Sequence, residues 1–206
     1  MTTERSTPSP RRAELLESAY RYVLEHGLTD LSLRPLAARI GSSPRVLLFL
    51  FGSKEGLVRA LLARARADEL ALLRRADDDA EGPAGGAAPP PGGAAPPPEG
   101  LAACARRTWD WLSAPEHRPL LVLWVEGYAR SLVEPTGPWG RFARDTVDDW
   151  LAVLAAAQPP ETRDSPEGVA QRTAALAVLR GGLLDLLATG DRERTTAALE
   201  FALEAC

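Results

Sequence analysis

Five polar side chains near the start of this chain are of types that could meet a charged partner: Ser32, Arg34, Ser43, Arg45 and Lys54. All five are hydrogen-bond donors, three are cations, and they recur over little more than twenty residues. That inventory suits an anionic, phosphate-rich partner, with Arg45 also able to donate two parallel bonds to a guanine edge. Lys54 is the only lysine in the chain. It stands at a helix start, where a cation is mildly unfavourable, and this placement favours a functional reason for it. Catalysis is not suggested. The chain has no glycine-rich phosphate loop and no Gly-x-Ser-x-Gly elbow. Its two histidines, His26 and His117, lack metal-ligand spacing, and Asp148-Asp149 reads as a solvated face. No cofactor or metal is expected.

The elements that must position these residues are short helices. Ser32 occupies an N-cap position and Pro35 falls in the following first turn, where a missing N–H costs little. Leu33, Leu36, Ala37 and Ile40 repeat at helical spacing, and Gly41 ends that helix through a positive φ. Ser43 and Pro44 open the next helix as N-cap and first residue, with Leu47 and Phe51 on its inward face. Gly52-Ser53 then turns the chain into a longer helix starting at Lys54. Helix, glycine-containing turn, helix is the helix-turn-helix pattern. Residues 11–26 precede it with an apolar stripe (Leu15, Leu16, Ala19, Tyr20, Val23, Leu24) and supply the third helix of the unit.

Residues 32–57 resemble the DNA-binding motif of TetR-family transcriptional repressors. The resemblance rests on Ser32-Leu33-Arg34, Leu36-Ala37, Gly41-Ser42-Ser43, Leu47, Phe51 and Ser53-Lys54-Glu55-Gly56-Leu57, with no gap in the spacing. It implies that the helix starting Ser43-Pro44-Arg45-Val46 lies in a major groove. Arg45 then reads bases, Val46 and Phe49 meet thymine methyls, and Ser32, Arg34, Ser43 and Lys54 hold phosphates. Two positions depart from the family pattern: Leu48 stands where tyrosine is usual, and Leu50 where a polar residue such as histidine is usual. Both departures remove backbone-gripping donors.

Charge supports the same division. The net charge of −4 hides 13 Lys+Arg against 8 Asp+Glu in residues 1–75, and 11 against 20 in residues 76–206. A basic end followed by an acidic remainder fits a nucleic-acid-binding unit on a larger body. No run reaches the ~18 apolar residues of a membrane span, and no apolar leader opens the chain. Cys104 and Cys206 are too scattered for a disulfide framework or a metal site. A cytoplasmic protein without a membrane partner is expected.

The expected architecture is all-α with about nine helices. Residues 1–10 form a disordered arm, 11–56 the helix-turn-helix domain, and 57–206 the ligand-binding and dimerisation body. The fourth helix runs from Lys54 to about Arg75, roughly 30 Å at 1.5 Å per residue. Residues 76–100, with seven prolines, form a flexible loop. Helices follow at 101–113, 119–133, 138–157, 166–189 and 191–205, the last capped by Asp191, with Pro159-Pro160 in a short loop.

The resemblance further implies a small-molecule effector in the body. All five tryptophans fall in residues 109–150, and Trp109, Trp124, Tyr128, Trp150 and Arg180 are the expected lining, although aromatic residues at helical spacing also serve as plain core. The last two helices are expected to make a homodimer through Gly181, Gly182, Leu183, Leu184, Leu187, Leu199 and Ala202. Gly181-Gly182 mid-helix costs about 1 kcal/mol each unless close packing requires it; a kink around ligand is the competing explanation. The expected function is an operator-binding repressor on a palindromic site, released when an apolar or aromatic effector tilts the fourth helix. The alternative is a helical protein-interaction or ligand-sequestering module that has lost specific DNA binding.

Overall fold

The computed structural model describes residues 9–28, 31–80 and 100–204. Ten α-helices make up the described residues: α1 (Pro10–His26), α2 (Leu33–Arg39), α3 (Pro44–Phe51), α4 (Lys54–Ala80), α5 (Leu101–Leu112), α6 (Arg118–Val133), α7 (Phe142–Ala156), α8 (Pro160–Arg163), α9 (Pro166–Thr189) and α10 (Arg192–Leu203). A 3₁₀ turn, Pro115–His117, leads into α6. The all-α expectation holds, with local corrections.

Residues 1–8 of the expected arm lie outside the described residues. Ser9 and Pro10 do not belong to an arm, because Ser9 accepts the Arg12 N–H and Pro10 opens α1. α4 continues to Ala80 rather than stopping near Arg75: no proline or glycine interrupts the run before Gly82-Pro83. The rest of the proline-rich loop, residues 81–99, lies outside the described residues. Pro159-Pro160 starts a single helical turn, α8, rather than a loop, since a proline is well tolerated in a first turn. α7 begins at Phe142, not residue 138. Gly137, Pro138 and Gly140 hold the chain in turns, and Ser131 pins them by donating to the Gly140 carbonyl (3.3 Å) and accepting from the Ala143 N–H (3.1 Å).

The chain divides into two compact units. The first comprises the described residues through Asp68 together with Pro119–Ala143. Its core is made by Leu15, Ala19 and Val23 of α1, Leu36 and Ala37 of α2, Leu47 and Phe51 of α3, Leu57, Leu61 and Leu62 of α4, and Leu121 and Trp124 of α6. A polar network locks α1 to α4. Tyr20 donates to Asp68 (2.9 Å), Arg64 donates to Glu17 (2.6 Å), and the Arg64 guanidinium lies 4.7 Å from the Tyr20 ring centroid. Burial first, and then the Asp68 carboxylate, raise the Tyr20 hydroxyl well above its ordinary pKa. α6 joins this unit through Glu126, which accepts the Leu28 N–H at 2.9 Å, just past the end of α1.

The second unit comprises α4 from Glu69, α5, the 3₁₀ turn, α7 from Arg144, and α8–α10. α5, α9 and α10 pack together around Trp109, which is 1% exposed. The Trp109 indole N–H donates to Thr196 at 2.8 Å. Asp191 caps α10 as expected, accepting the Arg194 N–H at 3.0 Å. In the same unit the Trp150 indole donates to the buried Glu69 at 3.0 Å.

Candidate DNA-reading surface

The turn between α2 and α3 follows from its residues. Gly41 takes φ +64°, and the Ser42 N–H returns to the Ala37 carbonyl at 2.8 Å, which ends α2 and frees the chain to turn. Ser43 accepts the Val46 N–H at 3.3 Å, and Pro44 opens α3 with its φ already set. Gly52, at φ +79°, closes α3, and Ser53 caps α4 by accepting the Gly56 N–H at 3.0 Å. Ser32 holds the N-cap position of α2 but makes no capping bond.

Three helix N-termini thus carry the sequence-predicted donors: Ser32 and Arg34 at α2, Ser43 and Arg45 at α3, and Lys54 at α4. Helix starts present unpaired N–H groups and a partial positive charge, the arrangement that suits phosphate. Arg34, Arg45 and Lys54 are exposed, and none is in an ion pair among the described residues. Beside Lys54, the Glu55 carboxyl is held below its ordinary pKa, chiefly by its own backbone N–H and then by Ser53. Lys54 and Glu55 also line a cleft of about 230 Å³ with Leu28, Val58, Arg130 and Trp139.

α3 has two distinct faces. Leu47 and Phe51 are buried, whereas Arg45, Val46 (38% exposed), Leu48 (42%) and Phe49 (86%) point outward. Arg45, Leu48 and Phe49 stand at i, i+3 and i+4, and therefore share one stripe. Pro44, the first residue of the helix expected in the groove, is half-buried.

Sequence reasoning missed Arg12. Its Nε donates to the Leu50 carbonyl at 3.3 Å, and its guanidinium lies 4.9 Å from the Phe51 ring centroid. A cation on a terminal carbonyl steadies a helix end, here the end of α3. Nothing in local spacing pairs positions 12 and 50, so only the fold reveals the contact.

The other predicted residues distribute between the units. Trp124 and Tyr128 lie in the first, their rings 5.0 Å apart. Trp109, Trp150 and Arg180 lie in the second, where both indole N–H groups are engaged by protein partners. Along α9, Leu183 is buried and a Cβ on Gly182 would stand 3.1 Å from the Trp109 ring, while Gly181 faces open space. Leu184 is 51% exposed and Leu187 half-buried. On α10, Leu199 is buried and Ala202 half-buried, whereas Phe201, which sequence reasoning passed over, is 79% exposed. The available signal was an apolar residue that falls off the helix face shared by Leu199 and Ala202.

Residues 15–61 match the family of bacterial regulatory proteins named tetR. No curated protein matches the chain in sequence. Among solved structures it is similar to a TetR-family transcriptional regulator from Rhodococcus sp., with TM-score 0.68 and 19% identity over 96% of this chain and 98% of that one. A TetR transcription regulator from Haloarcula marismortui aligns with TM-score 0.68 and 16% identity over 95% and 96% of the two chains. The multidrug binding protein EbrR, solved with proflavin, aligns with TM-score 0.64 and 23% identity over 95% and 99%. At these identities the structural likeness establishes the fold, and the motif match establishes the N-terminal unit. Residues 15–61 thus carry the N-terminal segment that defines the tetR family of bacterial regulatory proteins, and the fold is the one seen in solved TetR-family regulators.

Proposed function

We propose that the chain is a repressor that binds a palindromic operator as a homodimer and is released by a small apolar or aromatic effector. The observation that carries this reading is the outward face of α3, with Arg45 at its start and the exposed cations Arg34 and Lys54 at neighbouring helix starts. Arg45 reads a guanine edge, while Ser32, Arg34, Ser43 and Lys54 fix register on phosphates. Two copies of α3 must reach successive major grooves, about 34–36 Å apart. The dimer face on this reading is the exposed side of α9 and α10: Gly181, Leu184, Leu187, Ala202 and Phe201. Leu183, Leu199 and Gly182 support that face from within the protomer.

The effector reading is supported by EbrR, a fold relative crystallised with the flat aromatic proflavin, and by the tryptophan-rich segment Trp109–Trp150. An effector that fits one conformation better shifts the population toward it, and the continuous helix α4 is the element whose tilt would respread the two α3 helices. Nothing in this reading calls for catalysis, and its setting is cytoplasmic; among the described residues no helix is long and apolar enough to cross a membrane. The test is fluorescence anisotropy on the chain's own upstream DNA, followed by a screen of flat aromatic compounds. A compound that lowers operator affinity at least tenfold supports the reading, and equal affinity with every bound compound refutes effector release. One observation favours a second reading, a protein-interaction module: Leu48 and Phe49 form an exposed apolar pair on α3. DNA affinity without salt dependence would identify it.

A further inference from the structure

The outward stripe of α3 offers one hydrogen-bonding head group, the Arg45 guanidinium, surrounded by Val46, Leu48 and Phe49. The Ser43 hydroxyl, the other polar group at that helix start, accepts the Val46 N–H. A major groove presents acceptors and donors on every base pair but only one kind of apolar group, the C5 methyl of thymine. An apolar side chain pressed on a polar edge leaves that edge unsatisfied, whereas the same side chain on a methyl buries area on both partners. The exposed cations Arg34 and Lys54 fit a polyanion, so the occupant that matches both the stripe and its frame is a duplex. We infer that this α3 is a methyl reader: its operator half-site holds thymines, recognised through their C5 methyl groups by Phe49, Leu48 and Val46, beside one guanine taken by Arg45. The inference rests on the operator-binding reading above and specifies its base preference.

The register follows from the helix. Phe49 lies one turn beyond Arg45, about 6 Å along the axis at 1.5 Å per residue, or roughly two base steps at 3.4 Å. The critical thymine therefore falls within about two steps of the guanine. Burying one methyl on an apolar side chain is worth about a fourfold change in affinity. One such thymine in each half-site gives roughly fifteenfold.

The test uses the full chain. Duplexes bound at low salt are recovered from a randomised pool, and the preferred duplex is resynthesised with deoxyuridine replacing thymine in the half-sites, which removes the methyl alone. The expected result is guanine with nearby thymine in recovered sites, and a loss on uridine substitution of about fourfold per methyl for the unaltered protein. In Phe49→Ala, or in Leu48→Ala for the neighbouring base, the penalty shrinks toward onefold. Because Phe49 is 86% exposed, Phe49→Ala leaves the core intact, and a circular dichroism melt checks this. Equal affinity for thymine and uridine duplexes overturns methyl reading while leaving operator binding standing. An unchanged uridine penalty in both variants overturns the assignment to these residues. Failure to recover any preferred duplex overturns the operator-binding reading itself, and methyl reading with it.

Discussion

Two adjacent glycines in the middle of α9 should respond differently to the same substitution. In a helix interior, replacing glycine by alanine contributes about 1 kcal/mol through backbone entropy and propensity. At Gly181 a new Cβ meets nothing within 4 Å, so Gly181→Ala should realise that gain. At Gly182 the new Cβ would stand 3.1 Å from one Trp109 ring carbon and 3.3 Å from another. Trp109 cannot easily retreat, because it is 1% exposed and its indole N–H is held by Thr196 at 2.8 Å. Overpacking of this kind costs typically about 1–3 kcal/mol, so Gly182→Ala should range from neutral to about 2 kcal/mol destabilising. The gap between the two variants is therefore about 1–3 kcal/mol. Urea denaturation at matched concentrations, repeated across a tenfold concentration range, measures it and separates protomer stability from association. If Gly182→Ala is as stabilised as Gly181→Ala, the packing argument at Trp109 is wrong. A loss at Gly181→Ala that appears at high concentration and fades on dilution would show a second copy approaching there.

Arg12→Met keeps the apolar stem but removes the donor to Leu50 and the charge over Phe51. The lost hydrogen bond and cation–π contact, half-exposed, should cost about 1–2 kcal/mol and weaken operator binding through a frayed α3; unchanged urea midpoint and affinity would contradict the capping role. Between α9 and α10, Arg194 donates to both Asp185 oxygens, at 2.7 and 2.8 Å, and this bonding holds the Asp185 carboxyl below its ordinary 3.8. A carboxyl lowered by folding contributes stability above its unfolded value and loses it as pH falls through the folded one. Asp185→Asn should therefore unfold at lower urea than the unaltered chain at pH 7, with the difference closing below 3.8. A pH-independent difference would show that the ion pair is not its source.

The helix starts and stops of the reading surface were legible because their causes are local. Ser43 with Pro44, Gly41, Gly52 and Asp191 each act on groups within a few residues, and each does what its type implies. The starts of α7 and α8 were misplaced where proline acts in either direction: Pro138 sits in turns, while Pro160 opens a helix. What depends on distant pairing was not legible. The Glu126–Leu28 bond that joins α6 to the first unit spans 98 positions, and the Arg12 cap on α3 spans 38. Leu183 and Leu199 were expected at the homodimer face, because sequence alone does not tell a neighbouring helix from a second copy as the cover of an apolar residue. Their burial within the protomer leaves Leu184 and Phe201 open, together with Val169 at the start of α9.

The central claim, that α3 reads DNA through Arg45 within a cationic frame, is tested most directly by the salt dependence of operator affinity for the unaltered chain, Arg45→Ala and Lys54→Ala. Neutralised phosphates release counterions, so log affinity for the unaltered chain should fall steeply and linearly with log salt. Lys54→Ala should weaken binding to every duplex and make the slope shallower by about one for each half-site. Arg45→Ala should cost about 1–3 kcal/mol per half-site on the preferred duplex and little on an unrelated one, so that discrimination collapses. A flat salt slope, or full discrimination retained without Arg45, would contradict the account.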